Sequence, residues 1–105
     1  DTLWIAPRTA LEQYRDGAID LAPPQIMSLA HLARYASVAQ VLEAASCRRP
    51  PTILPQAFDD SGTRVICYPG DARHAVREHA LPGPTRLYYR EQRFFPEQGF
   101  DALFD

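Results

Sequence analysis

The chain has 105 residues, 46% of them apolar and 23% charged, enough for one compact domain and too little for two full-sized ones. Eleven Arg, no Lys and thirteen Asp plus Glu give a formal net charge of −2, a balance that disfavours nucleic acid or an anionic membrane as partner. Without Lys there is no P-loop lysine and no Schiff-base amine, and no two glycines are close enough for a G-x-G-x-x-G phosphate cradle.

No uncharged apolar stretch approaches the roughly 20 residues that span a bilayer. Asp1-Thr2-Leu3-Trp4 has no basic segment leading into an apolar one, so a cytoplasmic, soluble protein is expected. Cys47 and Cys67 lack C-x-x-C spacing and are expected to be free, inert thiols. A start on Asp, with a strand already under way, suggests a fragment of a longer chain.

Leu3-Trp4-Ile5 reads as a short strand ending before Pro7. Pro7 with Ala10, Leu11 and Tyr14 predicts a helix that stops at Gly17. Ile26, Leu29, Ala30 and Ala33 repeat at three and four residues, which predicts a helix over about 24 to 35. Ser37 and Gln40 form an S-x-x-Q capping box for a further helix from 38 to near Arg48-Arg49.

After Pro50-Pro51 the composition shifts toward strands, so 1–49 reads as strand plus helices and 50–105 as a strand-rich extension of a single domain or fragment. Thr52-Ile53-Leu54 and Thr63 to Tyr68 are predicted strands joined through a turn at Asp59-Asp60-Ser61-Gly62. Arg73 to Ala80 is predicted to form one or two helical turns. Arg86 to Arg90 and Arg93 to Phe95 form a C-terminal hairpin, although Glu91-Gln92 suits a two-residue turn poorly because neither residue favours positive φ. The expected fold class is α/β in the broad sense (α+β): two or three helices on a small, mixed, partial sheet.

Few residues carry a chemical signal. His74 and His79, five apart, point about 140° apart on a helix, whereas paired zinc ligands need i and i+4. His31 reads as a histidine bordering the core. Glu12 and Asp16 read as solvated charge, and Asp59-Asp60 as turn residues. Arg48, Arg49 and Arg64 suit forked contact with a phosphate, but ordinary ion pairing or solvated surface is the stronger reading. Trp4, Phe94, Phe95, Phe100 and Phe104 read as core or anchoring residues rather than a base-stacking platform.

Several segments, in order, resemble the C-terminal part of a Nudix hydrolase, in the branch of the peroxisomal-type coenzyme A diphosphatases and their bacterial relatives. They are Leu3-Trp4-Ile5-Ala6-Pro7 with Ala10-Leu11, Leu21-Ala22-Pro23-Pro24-Gln25, Tyr35-Ala36-Ser37-Val38, Ile53-Leu54-Pro55, Asp60-Ser61-Gly62 and Tyr68-Pro69-Gly70-Asp71. The resemblance covers about residues 3 to 71. It implies a partial Nudix sandwich and cleavage of a diphosphate linkage in a nucleotide or coenzyme A derivative.

In that family Mg²⁺ or Mn²⁺ is held by glutamates of a G-x5-E-x7-R-E-U-x-E-E-x-G-U helix, where U is bulky and aliphatic. Here the nearest string, Arg77-Glu78-His79-Ala80-Leu81-Pro82-Gly83, has Leu81 and Pro82 where two glutamates are required. The resemblance therefore gives this chain no catalytic residue and no metal ligand, and implies inactivity alone. The substrate-binding candidates it implies are Pro23, Pro24, Gln25 and Asp71. The alternative is a non-catalytic binding or dimerisation module derived from that fold, with a second copy of the chain as partner.

Overall fold

The computed structural model describes residues 4–105. They form two compact units, residues 4–49 with Phe104 and Pro50–Leu103 with Asp105, each of which gathers its own buried side chains. The fold class is α+β.

The first unit holds three helices. Helix α1 (Pro7–Arg15) starts on Pro7, whose missing N–H would have had no helical acceptor. It ends where Gly17 N–H donates to Tyr14 O and Ala18 N–H to Gln13 O, a Schellman closure. Helix α2 (Pro23–Leu32) packs against α1, and the two bury Ala10, Leu11, Tyr14, Ile26, Met27 and Ala30. Helix α3 (Val38–Ser46) begins where expected but with half of the box: Ser37 Oγ accepts from Gln40 N–H at 3.2 Å, whereas Gln40 Oε1 accepts from Ala36 N–H at 2.8 Å, one residue before the cap. It buries no residue, leaving Val38 75% and Leu42 64% exposed. The expected strand at Leu3-Trp4-Ile5 lies partly outside the described residues, and Trp4 and Ile5 are irregular.

The second unit is a four-stranded sheet in the order β1 (Gln56–Asp60), β2 (Thr63–Cys67), β3 (Arg86–Arg90), β4 (Arg93–Phe95). Every pairing is antiparallel, so the sheet is not the mixed one expected. Both hairpins close through two-residue turns with positive φ at both positions. Ser61 and Gly62 adopt 52° and 88°, and Glu91 and Gln92 adopt 50° and 64°. The C-terminal hairpin thus forms despite its unsuitable turn residues, with the Tyr89 and Phe94 rings 4.7 Å apart beside the turn.

Three further expectations fail for identifiable reasons. Thr52-Ile53-Leu54 is irregular, and the strand begins after Pro55. Pro50, Pro51 and Pro55 have no N–H to give a ladder. The turn is only two residues long, so Asp59 and Asp60 are strand residues, with Asp59 opposite Arg64. Arg73 to Ala80 forms no helix. There the Asp71 carboxylate and the His74 ring take the backbone N–H groups of Arg73 and Val76, in competition with helical bonding.

The register places Phe58, Val65, Tyr88 and Phe95 in one row across the sheet, with Gln56, Cys67 and Arg86 in a row on the same face. Val65, Cys67, Leu87, Tyr88 and Leu103 form much of this unit's core, the last of these from a short 3₁₀ helix at Phe100–Phe104. No described helix is long and apolar enough to cross a membrane.

Candidate functional site

The best-connected polar group of the second unit is Asp71. Its backbone lies in the turn after β2, where Tyr68 N–H donates to Thr85 O and Asp71 N–H to Tyr68 O. The side chain, 3% exposed, accepts from Arg73 N–H on Oδ1 at 2.8 Å. Its Oδ2 accepts from Thr85 Oγ1–H at 2.8 Å and Arg86 Nε–H at 2.6 Å. Burial pushes this carboxyl up, but the hydrogen bonds from Arg86, Arg73 and Thr85 and the Arg86 charge outweigh burial and hold it below the usual carboxylate range. The Arg86 bond to Asp71, and one from Arg86 Nη1 to Tyr88 OH at 3.4 Å, raise the Arg86 guanidinium. Arg73 and Arg86 flank the Phe58 ring, at 3.9 and 5.3 Å from its centroid.

Asp71, Pro84, Thr85, Arg86, Tyr88, Glu97 and Gln98 line a cavity of about 260 Å³. Its wall is polar and carries two acids against one Arg. Both Asp71 oxygens are engaged inside the protein, so Asp71 acts on this cavity by orienting Arg86. Gly70 belongs to the same turn, with φ 101°. A Cβ there would stand 2.7 Å from the ring of the exposed His79, which can swing aside, so it is the positive φ that favours glycine.

Pro23, Pro24 and Gln25 lie in the first unit. The two prolines open α2, and Gln25 Oε1 accepts from Ala22 N–H at 2.8 Å, closing the helix start. With Oε1 engaged, the exposed amide presents its N–H donors. Pro24 and Gln25, with Leu21, Ser28 and Leu29, line a shallow apolar groove of about 360 Å³; Pro23 is not among the residues lining it.

The remaining titratable groups have quieter surroundings. His31, half-buried with its ring 5.7 Å from that of Tyr35, is lowered by burial and then by the Arg48 and Arg34 charges, as suits a histidine bordering the core. Burial, reinforced by Asp71, raises the Cys67 thiol, while Cys47 is exposed, and both are free. Tyr68 OH is buried without a hydrogen-bond partner, and burial pushes its hydroxyl up to about 12. Arg64 pairs with Asp59 at 3.7 Å on the exposed face of the first hairpin.

The residues present do not fit a divalent cation. Among the described residues no three His, Cys, Asp or Glu side chains converge on one point. Glu78 lies in irregular backbone, and both oxygens of the buried Asp71 carboxylate already accept hydrogen bonds from the protein. What the sequence did not reveal is His74, buried in a loop where a helical turn was expected, with both ring nitrogens in contact with backbone polar groups. Comparison with protein-family models, with curated proteins and with solved structures finds no match for this chain.

Proposed function

We propose that this chain is the C-terminal segment of a Nudix-type hydrolase that cleaves a diphosphate linkage in a nucleotide or coenzyme A derivative. The metal-holding glutamates, and the Mg²⁺ or Mn²⁺ they bind, would then belong to residues outside this sequence. The supporting observation is the ordered series from Leu3 to Asp71, whose pieces fall at junctions of the fold. Pro23-Pro24 opens α2, Ser37 caps α3, Ser61-Gly62 turns the first hairpin and Tyr68 to Asp71 turns the chain out of β2. Junction residues set the direction of the chain, so a shared architecture retains them in order while surfaces diverge.

On this reading the chain's own residues bind and position. The Gln25 amide donates to a phosphate or carbonyl oxygen of the substrate, with Pro24 as an apolar wall. Asp71 is a positioning residue that holds Arg86. The test is the in-frame coding sequence upstream of Asp1, checked against the intact mass of the native polypeptide. A longer product with an R-E-U-x-E-E helix and Mg²⁺-dependent cleavage of coenzyme A is expected. A native product that starts near Asp1 without that helix overturns the proposal.

The second reading, a non-catalytic binding or dimerisation module, is favoured by one observation: α3 exposes Val38 and Leu42 and buries nothing. Sedimentation of the native chain over a range of concentrations tests the dimer. A constant monomer mass sinks it.

A further inference from the structure

The Arg86 guanidinium carries more donors than the protein uses. Its Nε–H goes to Asp71 Oδ2 at 2.6 Å, and one N–H on Nη1 reaches Tyr88 OH at 3.4 Å. Its remaining N–H groups have no acceptor among the described residues. A guanidinium only donates, so the Tyr88 oxygen accepts in this contact, and the hydroxyl proton has no acceptor among the described residues. Tyr88 is 4% exposed, and it lines with Arg86 the cavity of about 260 Å³ beside Asp71. A buried hydroxyl proton and guanidinium N–H groups, side by side in one wall, form a site for an oxyanion.

The chain leaving β4 adds Glu97 and Gln98 to the same cavity, both exposed, and Glu97 makes no ion pair with any described residue. The charges then select the ligand. Asp71 and Arg86 cancel as a pair, which leaves the Glu97 carboxylate to set the net sign. A simple anion on Arg86 is opposed by Glu97, and a simple cation beside Glu97 is opposed by Arg86. A small molecule carrying both charges satisfies each. The size agrees, since about 260 Å³ falls short of the roughly 300–1,000 Å³ of sites that enclose drug-sized ligands.

We propose that this cavity binds a free α-amino acid as its zwitterion. The carboxylate accepts from the Nη groups of Arg86 and from Tyr88 O–H, and the ammonium donates to Glu97. Pro84 and Gln98 form the wall beside the amino-acid side chain. Asp71 fixes Nε, so the guanidinium is held in place before the ligand arrives. The site is too small to enclose a nucleotide or coenzyme A, and the inference is independent of the hydrolase reading.

Titration of the ¹⁵N-labelled full chain with each of the common L-amino acids, followed by amide shifts, tests the site. At least one is expected to shift the Arg86, Glu97 and Gln98 amides with a Kd of about 1 mM or tighter. Its analogue without the ammonium, and its C-terminal amide, are each expected to bind about tenfold or more weakly. Glu97→Gln changes an exposed residue and should weaken the amino acid about tenfold while leaving the analogue without the ammonium unweakened. Tyr88→Phe should weaken both carboxylate ligands by about threefold or more.

Absence of shifts at these amides with every amino acid at about 10 mM overturns the proposal. So does equal binding of the analogue without the ammonium, or an unchanged Kd in Glu97→Gln. Tighter binding of inorganic phosphate or pyrophosphate than of any amino acid also overturns it, and makes Arg86 a plain anion site.

Discussion

The start of α2 and the turn after β2 each contain a short Pro-bearing string with one polar residue at its end, and the two polar residues act over different distances. Gln25 caps a backbone N–H three residues away and stays exposed. Asp71 collects donors two, fourteen and fifteen residues away and is buried. The first is a local device, replaceable by water; the second joins a turn to a strand distant in sequence, and its removal leaves buried donors unpaired. The difference teaches that similar-looking strings differ in energetic weight according to how far their hydrogen bonds reach.

The largest expected effect follows from that contrast. Asp71→Ala removes the partner of a half-buried Arg86, whose side chain is 27% exposed, and orphans Thr85 Oγ1–H and Arg73 N–H. A loss of about 3 kcal/mol in urea unfolding is expected, the lower end of the range for breaking a buried pair because Arg86 retains some solvent. A loss below about 1 kcal/mol would place the two strings in the same class.

The pH dependence sharpens the same point. The folded Asp71 carboxyl titrates below its unfolded value, so its contribution is complete above the ordinary carboxylate value near about pH 4 and is lost as pH falls through the depressed folded value. Acid titration of stability should therefore steepen below about pH 4 in the wild-type chain and lose part of that slope in Asp71→Ala.

Next in size are the local devices. Gln92→Gly places glycine at φ 64° in the second hairpin turn and should stabilise the chain by about 1 kcal/mol in thermal unfolding, because the backbone conformation costs a side-chain-bearing residue about that much. Gln25→Ala removes a single exposed cap and should cost about 0.5 to 1 kcal/mol. A cost as large as that of Asp71→Ala would break the comparison. The smallest effect is expected at Leu42, 64% exposed on α3. Leu42→Ser should change monomer stability by less than about 0.5 kcal/mol, and a reduced association constant in sedimentation would reveal a partner on that face.

Much of the helical unit was legible from the sequence because its signals are local. Pro7 and Gly17 bracket α1, the apolar spacing of Ile26, Leu29 and Ala30 marks α2, and the Ser37 and Gln40 pair starts α3 where observed. The sheet was legible in part. Thr63 to Cys67 and the C-terminal hairpin were anticipated, whereas β1 was placed a few residues early, because the apolar run at Ile53-Leu54 imitates a strand while Gln56 to Asp60 is exposed and polar.

Asp71 was singled out from its string, but its role was not evident there, since Thr85 and Arg86 reach it only after β3 has paired with β2. His74 had no signal at all: its partners are backbone atoms of Leu54 and Val76, which every residue possesses. By itself the sequence determined the helix starts and stops, the turn positions and the absence of lysine chemistry, all properties of residues within a few positions of one another. Only the tertiary structure decided that the sheet is antiparallel throughout, that 73–80 is a loop, and that one carboxylate and one imidazole hold it. Those outcomes depend on hydrogen bonds between residues far apart in the chain, which form once the strands are in register.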